Sequence, residues 1–307
     1  MIPKNLISVA DLTIEEIQNI LKTASNLKIS EASSALKGKN IALIFEKPSL
    51  RTKVSFSVAI EELGGHYIYL SGEEVGLGTR EPARDIARVL SNWVDLIVAR
   101  VFSHSNLLSL AKHSSIPVIN ALSDLEHPCQ AIADMMTILE KKQSLEGLTI
   151  AFIGDGNNVA SSLSLASASV GVNFVIACPD GYMIPKSIWD EALLRASKTG
   201  SKLWRTNSPE DAVSGADVVY TDVWISMGQT NDTTNRLRAF KDYQVNESLM
   251  DLAKPDAIFM HDMPAHRGEE ISENMLEDLR SVVFDQANNR LYAQKGILTY
   301  LMQNSLQ

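Results

Sequence analysis

The sequence predicts an α/β protein made of two doubly wound, parallel-sheet domains with an active-site cleft between them. Three observations support this prediction. The chain has 307 residues, more than a single hydrophobic core usually serves. Short apolar runs alternate with stretches of helical length, which is the pattern of βαβ units. Runs such as Asp95–Val101 are apolar almost throughout, as expected for strands buried on both faces of a parallel sheet.

The first half begins with a helix and then alternates strands and helices. Thr13 and Glu16 have capping-box spacing, and apolar residues then recur on one helical face, so a helix is expected to start after Thr13. The strands predicted to follow are Ile41–Phe45, Tyr67–Leu70, Leu96–Val101 and Pro117–Asn120. The helices predicted between and after them are Ser49–Leu63, Pro82–Asn92, Asn106–His113 and Cys129–Leu139.

The polar stretch Glu140–Gly147 is the expected domain boundary, which gives a first domain over 1–140 and a second over 147–287. The second-half strands are predicted at Leu148–Ile153, Asn173–Ala177, Ser201–Trp204, Asp217–Thr221, Ala257–Met260 and Ser281–Phe284. Its helices are predicted at Asn158–Val170, Ser187–Thr199, Pro209–Ser214 and Leu291–Met302. The closing segment, about 288–307, is expected to pack back on the first domain.

Composition limits the classes of partner and compartment. Lys and Arg number 28 against 37 Asp and Glu, a formal net charge of -9, which disfavours a nucleic-acid partner because phosphate backbones need a basic face. Two cysteines are too few for a disulfide framework. The first residues lack a signal-peptide pattern, and no apolar run has the length of a membrane span. We therefore expect a cytoplasmic protein without a membrane partner.

Polar residues after the first predicted strand form a candidate anion site. Ser49–Thr52 follow Pro48 and fall on the first turn of a helix, where free backbone N–H groups and the helix dipole attract anions. The hydroxyls of Ser49 and Thr52 add donors, and the Arg51 guanidinium suits a phosphate group. An ordinary serine cap beside a surface arginine fits the same residues equally well.

Two further polar groups follow later strands of the first domain. Arg100 ends the strand at 96–101 and is expected to face the cleft, although an inter-strand salt bridge would also satisfy it. His127 and Gln130 stand at the start of the helix at 129–139. Imidazole can donate to a developing oxyanion and an amide can bind an NH2 or C=O group, while a helix cap is the alternative for His127. A metal site is disfavoured because no second ligand stands at suitable spacing.

Three polar loops follow strands of the second domain, at 154–158, 222–228 and 261–270. Because the carboxyl ends of parallel strands share one edge, these loops are expected to line one cleft. The Gly-Asp-Gly at 154–156 is similar to part of a dinucleotide-binding loop, but its third glycine is absent. The asparagines that end the first loop offer amides, and Asp222 offers a carboxylate for an amino group.

Taken together, these motifs resemble the aspartate/ornithine carbamoyltransferase superfamily, and within it the ornithine carbamoyltransferases. The resemblance runs nearly from end to end of the chain. It includes SLRT at 49–52, DIARVLSNWVDLIVARVFSH at 85–104, PVINALSDLEHPCQAIADMMTI at 117–138, IGDGNNVA at 153–160, DVWISMGQ at 222–229, RLRAFKDYQVNESLM at 236–250, MPAHRGEEI at 263–271 and VFDQANNRLYAQKGIL at 283–298.

The resemblance implies a role for each matching residue. The carbamoyl phosphate-binding residues it implies are Ser49, Leu50 (through its backbone), Arg51, Thr52, Gly76, Arg100, His127, Pro128, Cys129, Gln130 and Arg290. The ornithine-binding residues it implies are Asn158, Asp222, Ser226, Met227, Asp262 and Met263. The expected catalytic residues are Arg100, His127 and Asp262. No metal or redox cofactor is implied, and the expected assembly is a homotrimer or a multiple of trimers.

The residue types suit this chemistry. A neutral amine attacks the carbamoyl carbon, a tetrahedral oxyanion forms, and phosphate leaves. Arg100, His127 and Thr52 can stabilise the oxyanion, while Ser49 and Arg51 can stabilise the departing phosphate. The loss of one such donor typically costs about 3 to 4 kcal/mol of barrier.

Two positions depart from the family pattern. The usual His-Cys-Leu-Pro motif reads His-Asp-Met-Pro at 261–264, and we expect Asp262 to position the attacking amine and accept its proton. The alternative is that Asp262 turns away and caps a neighbouring loop. Related enzymes carry a Gln near Gly76 that reaches the neighbouring subunit's carbamoyl phosphate, and Arg80 could replace it or simply be a solvated loop residue.

Three functions follow from these motifs. The expected reaction transfers the carbamoyl group to the side-chain amine of L-ornithine and gives L-citrulline and phosphate. An alternative is the same transfer to putrescine or an N-acylated ornithine. A third, of another class, is a dinucleotide-dependent oxidoreductase, for which Asp180 stands at a compatible distance after Gly156, but it leaves the phosphate turn at 49–52 unexplained.

Overall fold

The computed structural model describes residues 4–29, 33–225 and 232–304. The chain divides into two compact units, one formed by Met1–Met136 with Asn288–Gln307 and the other by Thr137–Ala287. Each unit contains one parallel sheet flanked by helices, which confirms the predicted α/β class. None of the described helices is long and apolar enough to cross a bilayer.

The first unit is built on a four-stranded sheet. Its strands are β1 (Asn40–Phe45), β2 (His66–Ser71), β3 (Leu96–Arg100) and β4 (Val118–Leu122). Its helices are α1 (Ile14–Ile29), α2 (Leu50–Glu62), α3 (Gly72–Val75), α4 (Ala83–Leu90), α5 (His104–His113) and the first turns of α6 (Pro128–Lys142). The strand order is β2-β1-β3-β4, so the order reverses between β1 and β3, where ligands of open α/β sheets bind.

The second unit is built on a five-stranded parallel sheet. Its strands are β5 (Thr149–Ile153), β6 (Asn173–Ala177), β7 (Leu203–Thr206), β8 (Val218–Thr221) and β9 (Ile258–His261), in the order β7-β6-β5-β8-β9. Its helices are α7 (Asn158–Ser169), α8 (Lys186–Thr199), α9 (Pro209–Val213), α10 (Thr233–Phe240) and α11 (Glu247–Met250). Here the order reverses between β5 and β8.

The first helix is capped as its sequence predicts. The Thr13 hydroxyl accepts the Glu16 N–H at 3.2 Å, and the Glu16 carboxylate accepts the Thr13 N–H at 2.7 Å. These two bonds satisfy backbone donors at the helix start, where no carbonyl is available for them.

One predicted strand is wrong. Ser281–Phe284 pairs with β9 only through a single bridge at Ser281, and the final helix α12 already begins at Val283 and runs to Asn304. Short apolar runs do not distinguish a strand from a buried helix start, and here the run is the first turn of a 22-residue helix. The helix therefore starts well before the predicted Leu291.

Helix α12 places its later residues in the first unit. Lys28 of α1 donates to the Asn289 amide oxygen at 2.7 Å, and the Tyr300 hydroxyl donates to Glu16 at 2.5 Å. Lys295 forms an ion pair with Glu62 of α2. The end of the chain is thereby fixed to helices near its beginning.

Candidate active site

The N-terminus of α2 carries the first predicted site residues. Ser49 is the N-cap, and its hydroxyl accepts the Thr52 N–H at 3.3 Å. The Leu50 side chain is 76% exposed, so only its backbone is available for the role expected of it. Arg51 is half-buried and Thr52 is buried. The helix start thus combines backbone N–H groups, two hydroxyls and a guanidinium in one turn, which suits an anion.

Arg100 and Arg290 come to this helix start from distant parts of the sequence. Arg290 of α12 donates through Nη2 to the Thr52 hydroxyl at 2.6 Å. Arg100 ends β3 opposite Phe45, the last residue of β1, and is buried. Two buried guanidinium groups therefore lie at the end of the sheet from which α2 begins, and buried cations favour an anionic ligand.

Lys47 is a buried cation that the sequence analysis did not select. It lies between β1 and α2, and its ammonium group is 4.9 Å from the centre of the Phe102 ring. Burial lowers the pKa of Lys47, and the charge of Arg100 lowers it further, while Asp124 and Glu46 act in the opposite direction. The signal available in the sequence was a lysine placed directly before Pro48 at the end of a strand.

His127 enters the site from the loop before α6. The loop is held by Ser123, whose hydroxyl accepts the Glu126 N–H at 3.2 Å, and by the Asn120 amide, which donates to the Ile7 carbonyl at 2.8 Å. Burial holds the pKa of His127 well below its usual value, and the charges of Arg290 and Arg100 add to this effect. A neutral imidazole has one N–H group, which it can donate to an oxyanion.

The residues after His127 form the first turn of α6. Pro128 is the first helical residue, where its missing N–H has no consequence. The Cys129 thiol donates to the Asn120 carbonyl at 3.4 Å, and burial raises its pKa to about 12, so the thiol stays protonated and is not a nucleophile. Gln130 is buried and its Nε2 donates to Asp134 at 2.8 Å.

Gly76 ends α3 with a φ of 58°, in the left-handed region. A Cβ at this position would lie 2.5 Å from the Arg80 Cβ, so a longer side chain would require the loop to move. Arg80 is exposed and donates to the Glu74 carbonyl at 3.2 Å. The loop of this chain is therefore shaped around a glycine at 76, with Arg80 beside it.

In the second unit, Asp222 follows β8 and is held from two sides. Its carboxylate accepts the Asn157 Nδ2–H at 2.6 Å and the Val223 N–H at 2.7 Å. Asn157 is itself fixed as the N-cap of α7, because its amide oxygen accepts the backbone N–H groups of Val159 and Ala160. The cap therefore directs the Asn157 amide hydrogens toward Asp222. The sequence analysis named the amides of both asparagines and expected ornithine binding from the adjacent Asn158, which is half-buried at the helix start.

The Gly-Asp-Gly turn is occupied by the protein's own chain. A Cβ on Gly156 would lie 2.2 Å from the Ile184 nitrogen, and the Gly156 N–H donates to the Tyr182 carbonyl at 2.8 Å. In a dinucleotide-binding loop such a glycine permits close approach of the pyrophosphate. Here it permits close approach of the segment at 182–184 instead. This arrangement does not support the oxidoreductase alternative.

Asp155, between the two glycines, forms a buried ion pair with Arg236 of α10. Burial raises the pKa of Asp155 to about 6, against the lowering effect of Arg236, and the neighbouring Asp222 adds to the rise. Arg236 also donates to the Trp224 carbonyl at 2.7 Å and lies over the Tyr182 ring. These contacts connect α10 to the loops that follow β5 and β8.

His261 ends β9 and is fully buried. Its Nδ1 accepts the Met263 N–H at 2.9 Å, so Nε2 carries the proton and donates to Glu270 at 3.1 Å. Met263 has a φ of 63°, which turns its N–H back toward the imidazole. The side chain between them, Asp262, is mostly buried.

Asp262 lies beside Asp222. One ligand atom from each of Asp222, His261 and Asp262 lies within 4.8 Å of the others. Both nitrogens of His261 already have partners, so this histidine is poorly placed to bind a metal ion. The arrangement instead offers two carboxylates to a cationic or amine group. A second group, His266, Glu269 and Glu270, has the same spacing of ligand atoms.

The described residues thus bring most of the predicted positions together in two groups, one in each unit. The first group contains α2, Arg100, the start of α6 and Arg290, and the second contains Asn158, Asp222, Asp262 and Met263. Ser226 and Met227 lie outside the described residues. The residues that sequence reasoning did not select are Lys47, Asp134 and the Asp155–Arg236 pair.

Comparison with known protein families covers both units. Residues 4–140 match the carbamoyl-P binding domain of aspartate/ornithine carbamoyltransferase, and residues 146–301 match its Asp/Orn binding domain. An ornithine carbamoyltransferase of Thermococcus kodakarensis is 48% identical over 97% of this chain and 96% of its own length. An anabolic ornithine carbamoyltransferase of Pyrococcus furiosus is 46% identical over the same shares of the two chains.

Solved structures give the same result. The ornithine carbamoyltransferase of Pyrococcus furiosus has a TM-score of 0.95 at 46% identity and covers 98% of this chain and 97% of its own. An acetylornithine transcarbamylase bound to acetylcitrulline has a TM-score of 0.88 at 29% identity, with 97% of this chain and 99% of that chain covered. Both units and nearly the whole length of the sequence are included in these matches. The chain is therefore a member of the aspartate/ornithine carbamoyltransferase family.

Proposed function

We propose that this chain transfers the carbamoyl group of carbamoyl phosphate to the side-chain amine of L-ornithine, giving L-citrulline and phosphate. The observation that carries the proposal is the group formed by the α2 start, buried Arg100 and Arg290, and a neutral His127. Full-length relatives that carry the name ornithine carbamoyltransferase support it.

In the first unit, carbamoyl phosphate binds with its phosphate at the N-terminus of α2. Ser49, Arg51 and the backbone N–H groups of that turn hold the phosphate oxygens. Arg100, His127 and Thr52 point donors at the carbonyl oxygen, where negative charge develops during attack. Arg290 orients Thr52 through the 2.6 Å hydrogen bond between them.

In the second unit, ornithine binds with its α-amino group at Asp222. The carboxylate is already oriented by Asn157 and by the Val223 N–H, so no reorganisation is needed when the ammonium group arrives. Asn158 adds an amide donor for the α-carboxylate. Ser226 and Met227 complete this set by resemblance, as residues outside the described part of the chain.

Asp262 holds the side-chain amine and accepts its proton. A carboxylate is a weak base toward a free ammonium group, but the nitrogen becomes strongly acidic once it bonds to the carbamoyl carbon. The amine therefore attacks in its neutral form, after its ammonium proton has passed to solvent, and the N–C bond forms. Asp262 then accepts the second proton from that nitrogen and passes it to the phosphate, which leaves as the C–O bond breaks. The proximity of Asp262 to Asp222 supports its position near the substrate.

The function is tested by a citrulline assay with carbamoyl phosphate as the donor. Ornithine, putrescine and Nα-acetylornithine are supplied in parallel, each over a range of concentrations. We expect kcat/KM for ornithine to exceed the other values by at least about a hundredfold, since Nα-acetylornithine has no ammonium group for Asp222 and putrescine has no α-carboxylate for Asn158. A higher kcat/KM for putrescine or acetylornithine than for ornithine would identify that amine, and not ornithine, as the acceptor.

The role of Asp262 is tested by Asp262→Asn and Asp262→Cys. We expect kcat to fall by about a hundredfold or more in Asp262→Asn, because general-base assistance is usually worth about 10² to 10⁴. The acidic limb of the kcat–pH profile should change in both variants. Asp190→Asn, an exposed carboxylate of α8, is the control and should behave as the wild type. An unchanged kcat and pH profile in Asp262→Asn would show that Asp262 is not the proton acceptor and has only a structural role.

A further inference from the structure

The side-chain amide of Gln130 has a defined orientation. Gln130 and Asp134 are one turn apart on α6, and both are buried, with exposures of 1% and 0%. Gln130 Nε2 lies 2.8 Å from a carboxylate oxygen of Asp134. This contact is a hydrogen bond that Nε2 donates, so the NH2 end of the amide faces Asp134 and the carbonyl end faces away from it.

The other end of this amide is a buried acceptor. Among the residues that the structure describes, no group donates to Gln130 Oε1. A buried carbonyl oxygen without a donor is unfavourable. A ligand that donates an N–H group to this oxygen would therefore bind more tightly than one that cannot. Gln130 stands in the first turn of α6, three residues after His127, in the group proposed to bind carbamoyl phosphate.

We propose that Asp134 is a positioning residue that makes this site select a carbamoyl group over an acetyl group. Asp134 holds the Gln130 amide with its oxygen toward the substrate, and that oxygen accepts the carbamoyl NH2. An acetyl group presents a methyl in the same place and leaves the acceptor buried without a donor. This inference rests on the proposed placement of carbamoyl phosphate and adds to it the basis for choosing among acyl phosphates.

The test uses two stable phosphonates that differ only at this position. Phosphonoacetamide carries NH2 on its carbonyl, and acetonylphosphonate carries CH3. Their dissociation constants are measured by calorimetry on the intact wild-type chain and on Asp134→Asn, with inorganic phosphate as a third ligand. We expect the wild type to bind the amide about tenfold to a hundredfold more tightly than the ketone.

In Asp134→Asn the residue at 134 can donate as well as accept, so the Gln130 amide is free to turn around. We expect the preference for the amide to fall below about threefold, while affinity for inorganic phosphate stays within about twofold of wild type. If Asp134 had only a structural role, Asp134→Asn would weaken the binding of all three ligands to a similar degree. If Asp134→Asn does not fold, the neutral and smaller Asp134→Thr is the second variant.

A double variant shows whether Asp134 acts through Gln130. Gln130→Leu should abolish the preference, and adding Asp134→Asn should change the ratio no further. If either Asp134→Asn or Gln130→Leu kept the wild-type ratio of the dissociation constants for ketone and amide, the inference would be overturned while the proposed function stayed intact. A wild-type chain that binds neither phosphonate would overturn the placement of carbamoyl phosphate, and the inference with it.

Discussion

Single side chains in both groups are oriented before any substrate binds. Thr52 is held by Arg290, Asp222 by Asn157, and Gln130 by Asp134. Each of these bonds uses one face of the residue and leaves another face for a ligand. Preorganised donors and acceptors lower a barrier because they need not reorient during the reaction. At the scale of one residue, the structure therefore adds a partner for each of these three predicted positions.

His127 makes stability depend on pH in a specific range. Its pKa is held well below the usual value by burial, then by Arg290 and Arg100, whereas in the unfolded chain it titrates near about 6.5. Below that pH the unfolded state binds a proton that the native state does not. The free energy of unfolding should therefore fall as pH falls from about 6.5, by at most about 1.4 kcal/mol per pH unit.

The variant His127→Gln should lose this component. Urea unfolding at intervals from pH 7.5 to pH 5 measures it as the difference in slope between wild type and variant. His66→Gln, at an exposed position of β2, is the matched control and should retain the wild-type slope. Equal slopes in the wild type and His127→Gln would contradict a buried, neutral His127.

Helix starts are the elements that organise both groups. The N-termini of α2, α6 and α7 lie at loops that follow β1, β4 and β5. A helix start has backbone N–H groups without intrahelical partners, and a side chain that caps it is held in one orientation. Asn157 shows the consequence, since capping α7 fixes the amide that binds Asp222.

Two substitutions separate the cap of α7 from the orientation of Asp222. Asn157→Ala removes both functions, so it should cost about 0.5 to 2 kcal/mol of stability and raise KM for ornithine. Asn157→Asp keeps an oxygen for the cap but places a carboxylate against Asp222. It should lose less stability than Asn157→Ala and still raise KM for ornithine about tenfold or more. Steady-state kinetics measures both KM values, and an unchanged KM for carbamoyl phosphate is the internal control. An unaltered KM for ornithine in Asn157→Asp would show that Asn157 does not orient Asp222 for ornithine.

The turn between β5 and α7 depends on a close backbone approach. Gly156→Ala would place a Cβ 2.2 Å from the Ile184 nitrogen, so the loop or the segment at 182–184 must move. We expect a loss of about 1 to 3 kcal/mol in chemical denaturation together with a higher KM for ornithine. Gly147→Ala, where φ is 78° and no atom lies within 4 Å of the new Cβ, should cost stability alone. If the KM for ornithine were the same in Gly156→Ala as in Gly147→Ala, the turn at Gly156 would not contribute to ornithine binding.

At the scale of the whole molecule, we propose that the chain assembles as a trimer or a multiple of trimers. The resemblance to the family suggests this assembly, and exposed apolar side chains on the first unit support it. Trp93 is 70% exposed, and Leu50, Val54, Ile68 and Phe102 are also exposed. Exposed apolar residues in this number favour contact with another protein surface.

Light scattering coupled to size exclusion measures the assembly. A trimer has a mass of about 101 kDa, three times the chain mass of 33.7 kDa. Trp93→Glu and Ile68→Glu should shift the mass toward that of the single chain, whereas Leu194→Glu, at an exposed position of α8 in the second unit, should not. An active species of about 34 kDa would contradict the proposal.

Part of the fold and of the site was predictable because it depends on local pattern. Apolar runs separated by helical stretches predict parallel strands, and most predicted elements agree with the structure within a few residues. The run at 281–284 was wrongly predicted because a strand and the first turn of a buried helix look alike over four residues. The cleft between the two domains stays a prediction.

The sequence by itself determined the α/β class, the loops that carry the chemistry and the residue types within them, since these follow from periodicity and from motifs of adjacent residues. Only the tertiary structure decided which distant residues meet. Arg290 reaches Thr52 across 238 positions, Asn157 reaches Asp222 across 65, and the segment at 182–184 fills the turn at Gly156. Such contacts depend on strand order and helix packing, and no local pattern in the sequence encodes the distance between two side chains.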